Sequence, residues 1–299
     1  MKQFSNEVAQ RSTMSRRGLL ALGSGLAVTV ASTAISPNQA LAAPKAELWA
    51  RWQAHDPAST AAIDHSAWGD LLGRFLVQSP DGINRLAYGK VIGEDRTKLD
   101  AYVNGLIALP ISTYNRTEQM AYWVNLYNAL TVQVVLDHYP VDSIRDIDIS
   151  PGLFSSGPWG KKLVTIEGER VALDDIEHQI LRPIWQDPRI HYAVNCASLG
   201  CPNLQPEPFA PATLEQQLDQ AAVSFINHPR GASIQGGRLT VSSIYSWFSE
   251  DFGSSDQNVI AHLQRYAAPD LQSALGSVSS VDDDRYDWRL NDIGVGVNS

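Results

Sequence analysis

The chain has 299 residues, with 23 Lys and Arg against 32 Asp and Glu, a formal net charge of −9. An acidic surface repels phosphate backbones, and no basic run or aromatic–basic interleaving offsets it, so nucleic-acid binding is not expected. The length suits one large domain or two small ones, buries a full core without staples, and shows no internal repeat or composition shift that marks a second domain.

The first forty or so residues have the pattern of a targeting segment. Ser15-Arg16-Arg17-Gly18-Leu19-Leu20 sets paired arginines before an apolar run to about Ala31. Small residues follow and close in Ala40-Leu41-Ala42, an Ala-x-Ala cleavage pattern. Residues 1–42 are therefore expected to be a signal peptide of the twin-arginine type, an ordinary signal peptide with a basic start being the plainer alternative. The mature protein is expected to be periplasmic or secreted. Downstream there is no run of ~18 apolar residues, so no membrane span is expected after signal removal. Loss of Lys2, Arg11, Arg16, Arg17 and Glu7 with the leader makes the remainder still more acidic. Export moves both cysteines from a reducing to an oxidising compartment.

Residues 43–80 read as a helical lead-in, with Leu48, Trp49 and Trp52 on one face and Trp68, Leu71, Leu72 and Phe75 at helical spacing. Asp81-Gly82 breaks this pattern, and Ile83 to Tyr88 reads as a short strand. Arg96 to Leu109 reads as a helix ended by Pro110. The helix at 117–139 is apolar around most of its circumference and is expected to be central and buried. Asn125 and Asn128 share one of its faces, where they either bond a neighbouring loop or orient a catalytic group. After a Pro- and Gly-rich loop at 150–160, Leu163–Ile166 and Arg170–Leu173 read as a hairpin. Asp174 is placed to cap a helix from Asp175 to Leu181, closed by Arg182-Pro183. Ile190 to Asn195 reads as a buried strand that delivers Cys196. An extended stretch follows to Pro211. Then come an amphipathic helix led by Thr213, a strand at Arg238–Val241, a packed segment from Ile244 to Phe252, and a helix at about 258–267. Tyr286, Trp288 and Leu290 suit a tail that runs back across the body.

The chemistry concentrates at Ile190-His-Tyr-Ala-Val-Asn-Cys-Ala-Ser-Leu-Gly-Cys-Pro202, which holds both cysteines, Cys196 and Cys201. Three arrangements compete. Cys196 acts as a nucleophile activated by His178 or His191, with Glu177 orienting the imidazole and Asn125 donating to an oxyanion. On a regular strand His191 and Cys196 point to opposite faces, which favours His178 as the base. Alternatively, Cys196, Cys201, His178 and His191 hold a zinc ion. In the third arrangement Cys196 and Cys201 close a small disulfide loop in a non-catalytic binding or structural domain, with Trp159 lining a groove. The bland account of Glu177 is an ion pair to Arg182, and that of His191 is a ring bonded to a backbone carbonyl.

Four segments together resemble the DUF547 family. They are Ala121-Tyr-Trp-Val-Asn-Leu-Tyr-Asn-Ala129, Leu173-Asp-Asp-Ile-Glu-His-Gln-Ile-Leu-Arg182, Arg189-Ile-His-Tyr-Ala-Val-Asn-Cys-Ala-Ser-Leu-Gly-Cys-Pro202 and Tyr286-Asp-Trp-Arg-Leu-Asn291. They span roughly residues 100–292, and Glu177, His178, His191, Cys196 and Cys201 all match the family pattern. The resemblance implies a further similarity to papain-like and transglutaminase-like folds, which use cysteine and histidine for acyl transfer. That link is analogy. The expectation is a single α+β domain over 43–299, with the central helix packed on a small, largely antiparallel sheet. The expected function is a thiol-dependent hydrolase or acyltransferase acting on a peptide or other amide or ester of the cell envelope. It needs no cofactor unless the zinc arrangement holds.

Overall fold

The computed structural model describes residues 44–152 and 156–293. The expected signal peptide at 1–42 lies outside the described residues. Helix α1 (Ser66–Phe75) presents Trp68, Leu71, Leu72 and Phe75 inward and runs into β1 (Leu76–Gln78). β1 pairs antiparallel with β2 (Asn84–Leu86). Helix α2 (Glu94–Ile107) follows, and then α3 (Arg116–His138). Asn115, one residue before α3, accepts a bond from the Glu118 amide and caps it. Every residue from Glu118 to Val132 is buried.

A helix that is apolar on all sides must be covered on all sides. Helix α2 and a π-helix at Asp175–Leu181 pack against α3, in place of the single sheet expected there. Among the described residues the sheets are three small, separate ones. β3 (Val164–Ile166) and β4 (Glu169–Val171) form the expected hairpin. Its two-residue turn, Glu167-Gly168, has positive φ at both positions, as a primed turn requires. β5 (Ala232–Gln235) and β6 (Arg238–Ser242) form another hairpin through Gly236-Gly237. The returning tail adds β7 (Asp283–Arg285) parallel to β6. Strands this short cover too little area to seat a 23-residue helix. The result is a compact α+β domain with small open sheets and several helices.

Two local expectations change. The helix begun at Asp175 does not stop at Arg182-Pro183 but continues as α4 (Arg182–Trp185). In the widened turn the Arg182 amide bonds the Glu177 carbonyl, five residues back. Pro183 has no N–H to give, so the His178 and Gln179 carbonyls instead accept from the Glu47 and Trp49 amides, at 2.9 and 3.0 Å. The proline thus ties the N-terminal segment to the helix instead of ending it. Asp174 makes no side-chain cap.

Residues 190–193 form a helical turn, α5 (Ile190–Ala193), not a strand. A short buried apolar run fits either structure, and periodicity does not separate them. Here Asp187-Pro188 starts a turn, and the amides of Ile190, His191 and Tyr192 bond the carbonyls three residues back. Val194, directly after the turn, is extended.

Helices α6 (Leu214–Ile226), α7 (Ile244–Trp247), α8 (Asp256–Tyr266) and α9 (Pro269–Leu275) complete the fold. With β5 and β6 they enclose a second apolar cluster that includes Tyr192, Phe225, Leu239, Tyr245 and Leu263.

Candidate functional site

Cys196 stands on a loop held from four directions. The Asn128 side chain of α3 accepts from the Asn195 amide at 2.8 Å and donates to the Ala193 carbonyl at 2.9 Å. Asn195 donates to the Pro202 carbonyl and accepts from the Ala197 amide, closing the loop on itself. The Arg230 guanidinium donates to the Leu199 carbonyl at 2.7 Å. The tail runs along the other side, where Arg289 and Asp287 carbonyls accept from the Leu199 and Gly200 amides and Ala197 accepts from Asn291. A Cβ on Gly200 would lie 2.6 Å from the Asp287 nitrogen, so only glycine lets the tail approach. Ala197 takes φ +59° although it carries a side chain. Such strain costs about 1–3 kcal/mol and persists only where the surroundings hold it.

Cys196 is half-buried and Cys201 buried, and both are free thiols. The Cys196 sulfur has three polar neighbours: Cys201 Sγ at 3.1 Å, Tyr286 Oη at 2.9 Å and Ser198 Oγ at 3.4 Å. The two sulfurs share a hydrogen bond, and Cys201 Sγ also accepts from the Cys196 amide at 3.0 Å. The bond shared with Cys201 lowers the Cys196 pKa below that of an ordinary thiol. The Ser198 and Tyr286 hydroxyls add to this, against burial and the nearby Glu177 charge. Burial and the adjoining Cys196 push the Cys201 thiol well up. The two thiols are therefore unlike in acidity as well as in exposure.

Behind the thiol lies a buried charged network. Tyr127 of α3 donates to Glu177 Oε2 at 3.1 Å. Glu177 Oε1 faces His191 Nδ1 at 3.6 Å, and His191 Nε2 is 2.6 Å from Asp251 Oδ2. Burial alone would lower the His191 pKa, but the two carboxylates outweigh it and raise it. Burial likewise opposes Glu177, yet His178, His191 and Arg182 hold its carboxyl at about 2. His178 is buried and its pKa drops to about 4. Its Nδ1 accepts from the Arg182 guanidinium at 3.0 Å, which leaves the proton on Nε2. Arg182 also bonds Glu250, Asp251 and the Pro44 carbonyl. Phe248 stacks on His191 at 4.2 Å and receives Arg182 over its ring. Asp174, near Glu177 and Asp175, has its carboxyl raised to about 7, chiefly by burial.

In front of the thiol lies a half-buried aromatic wall. Tyr286 packs on Trp247 at 4.7 Å and Trp288 at 4.6 Å, and Trp159 meets Trp288 edge-on at 5.8 Å. The Arg145 guanidinium lies over Trp288.

Residues 111–226 match the model of a protein family described as DUF547, protein of unknown function. The chain carries a DUF547 region. No curated protein and no solved structure matches the chain. The DUF547 region holds α3, the π-helix, both cysteines and both histidines. The tail motif Tyr286–Asn291 lies beyond it, although Tyr286 touches the sulfur.

Several expected partnerships within the DUF547 region are made differently. Among the described residues no histidine hydrogen-bonds Cys196, so the thiol–imidazole pair is not formed through the sulfur. Glu177 faces His191 rather than Arg182, and His191 bonds carboxylates rather than a backbone carbonyl. The amide of Asn125 bonds the Phe209 backbone at both ends, donating at 2.8 Å and accepting at 3.0 Å, the loop contact that was one of its two expected roles. The zinc arrangement does not fit: among the described residues no three His, Cys, Asp or Glu side chains converge as a metal site. His178 Nδ1 faces a guanidinium, and His191 is engaged at both nitrogens. The neighbours that sequence reasoning did not place at the site are Ser198, Tyr286, Tyr127 and Asp251, and Arg182 entered it only as a partner for Glu177. Arg182 was within reach of it, standing one helical turn after His178.

Proposed function

We propose that the chain is a thiol-dependent hydrolase or acyltransferase of the cell envelope, with Cys196 as its nucleophile. The carrying observation is the Cys196 sulfur, half-buried on a strained loop and within hydrogen-bond reach of Cys201, Tyr286 and Ser198. Those neighbours lower its pKa and so favour the thiolate, which is the attacking species. The sulfur adds to the carbonyl carbon of an amide or ester in a peptide or other acyl substrate. Collapse of the adduct leaves a thioester and expels an amine or alcohol, which takes a proton. Water or an acceptor amine then releases the acyl group. The Tyr286 and Ser198 hydroxyls are the proton-bearing groups at the sulfur. Glu177, His178 and His191 form the acid–base wall behind it, acting through the field at the site rather than by contact with Cys196. Export by the twin-arginine route and kinship with papain-like and transglutaminase-like enzymes belong to the same proposal. They rest on the 1–42 pattern and on the motifs quoted above.

The test is acylation by a panel of activated esters and peptide amides, read by intact mass and turnover. The proposal expects one acyl group, mapped to Cys196, and loss of turnover in Cys196→Ala. Turnover that survives Cys196→Ala refutes it. The aromatic wall of Trp159, Trp247, Tyr286 and Trp288 favours a second reading, a binding domain without catalysis. That reading expects no acylation and ligand binding unchanged by Cys196→Ala.

A further inference from the structure

Cys201 is more than a neighbour of the nucleophile. Its sulfur is 3.1 Å from Cys196 Sγ, and it is bonded twice to that residue, by the Cys196 thiol and by the Cys196 amide. Cys196 is half-buried and Cys201 is 4 % exposed, so an incoming electrophile meets Cys196 first. The Tyr286 and Ser198 hydroxyls flank the outer sulfur, where a leaving oxygen needs a proton donor. Tyr286 is itself backed by Trp247 and Trp288.

We propose that Cys196 and Cys201 are a nucleophile and its resolving thiol, which reduce a small hydroperoxide and retain its two oxidising equivalents as a Cys196–Cys201 disulfide. The Cys196 thiolate attacks the terminal oxygen of the hydroperoxide, the O–O bond breaks, and the alkoxide or hydroxide leaves with a proton. This yields a Cys196 sulfenic acid. The Cys201 sulfur then attacks Cys196 Sγ, the S–O bond breaks, and hydroxide departs as water with the proton of the Cys201 thiol. In total, two thiols and one hydroperoxide give one disulfide, one alcohol (or water) and one water. A dithiol reductant returns both thiols by exchange. Low-pKa accessible thiols beside a resolving cysteine are the usual setting for this chemistry. The unequal thiol acidities described above agree with it. The inference rests on Cys196 being the reactive thiol of the preceding reading, not on acyl transfer.

The experiment uses the full chain, reduced and freed of reductant, with one equivalent of hydrogen peroxide or tert-butyl hydroperoxide. Intact mass is followed after quenching with an alkylating agent. The expected result is loss of two hydrogen masses and of both free thiols, at least about tenfold faster than in urea-unfolded protein, reversed by dithiothreitol. Cys201→Ser should stop at the sulfenic acid, gaining one oxygen mass and a dimedone adduct at Cys196. Cys196→Ser should be inert. Oxidation no faster in folded than in unfolded wild-type protein overturns the proposal, whatever the variants do. If Cys196 alkylates rapidly yet peroxide reacts slowly, this inference falls and the nucleophile stands. If both reactions are slow, both fall.

Discussion

The Tyr286 hydroxyl lies 2.9 Å from the Cys196 sulfur, across 90 positions of sequence. A phenol from the returning tail thereby joins Cys201 and Ser198 in lowering the pKa of a thiol in the DUF547 region. Tyr286→Phe removes that donor and keeps the ring in the aromatic wall. Alkylation of Cys196 by iodoacetamide should slow about tenfold near neutral pH. At alkaline pH, where the thiol is ionised in both proteins, the rates should converge. An unchanged pH–rate profile would show that the phenol does not govern the thiolate.

Asp251 serves two side chains at once, His191 at 2.6 Å and Arg182 at 2.6 Å. Asp251→Asn leaves both short of a buried partner and should cost about 3 kcal/mol in urea unfolding. The His191 pKa is raised in the folded protein, so its pairing stabilises most below the ordinary histidine value. That contribution is lost as pH rises through the raised value. The cost of Asp251→Asn should therefore be largest in acid and smaller in alkali. A pH-independent cost would assign the whole effect to Arg182.

Asp174 gives the opposite pH signature to a paired carboxylate. Its folded pKa, about 7, lies above the ordinary value of 3.8, so the folded state holds the proton more tightly. Stability should fall as pH rises between these values, because the folded state must then carry a poorly solvated charge. Its side chain is 35 % exposed, and solvent screening keeps the effect to about 1 kcal/mol. Asp174→Asn should be near neutral at pH 4 and stabilising at pH 8, as read by thermal unfolding. A variant destabilised equally at both would remove the assignment.

Gly200→Ala tests whether the tail holds the thiol in place. The added methyl would meet the Asp287 backbone nitrogen at 2.6 Å, and the Tyr286 ring lies at 2.9 Å. Backbone does not yield as a flexible side chain does, so the variant should lose about 2 kcal/mol or more. It should also slow Cys196 alkylation at neutral pH, as Tyr286→Phe does. Loss of stability with normal alkylation would separate the tail from the site.

Helix α3 was legible because its apolar residues leave no polar face, and burial follows from that wherever the chain places it. The hairpin at 164–171 was legible from its alternation and its Glu167-Gly168 turn, and the tail's return from Tyr286, Trp288 and Leu290. The α5 turn was not legible, because four buried residues carry no usable period. Nor was the passage through Pro183, which depends on Glu47 and Trp49, more than 130 residues earlier, to take up the freed carbonyls.

The sequence by itself determined which residues are chemically able: two cysteines, two histidines and a glutamate gathered within 177–201. Only the tertiary structure decided which of them touch. It brought Cys201, Ser198 and Tyr286 to the Cys196 sulfur and turned His191 toward Glu177 and Asp251. The physical reason is that hydrogen bonds act over about 3 Å, while their partners here lie up to 90 positions apart. Local periodicity sets the direction of a side chain on its own element, and the path of the chain sets what it meets.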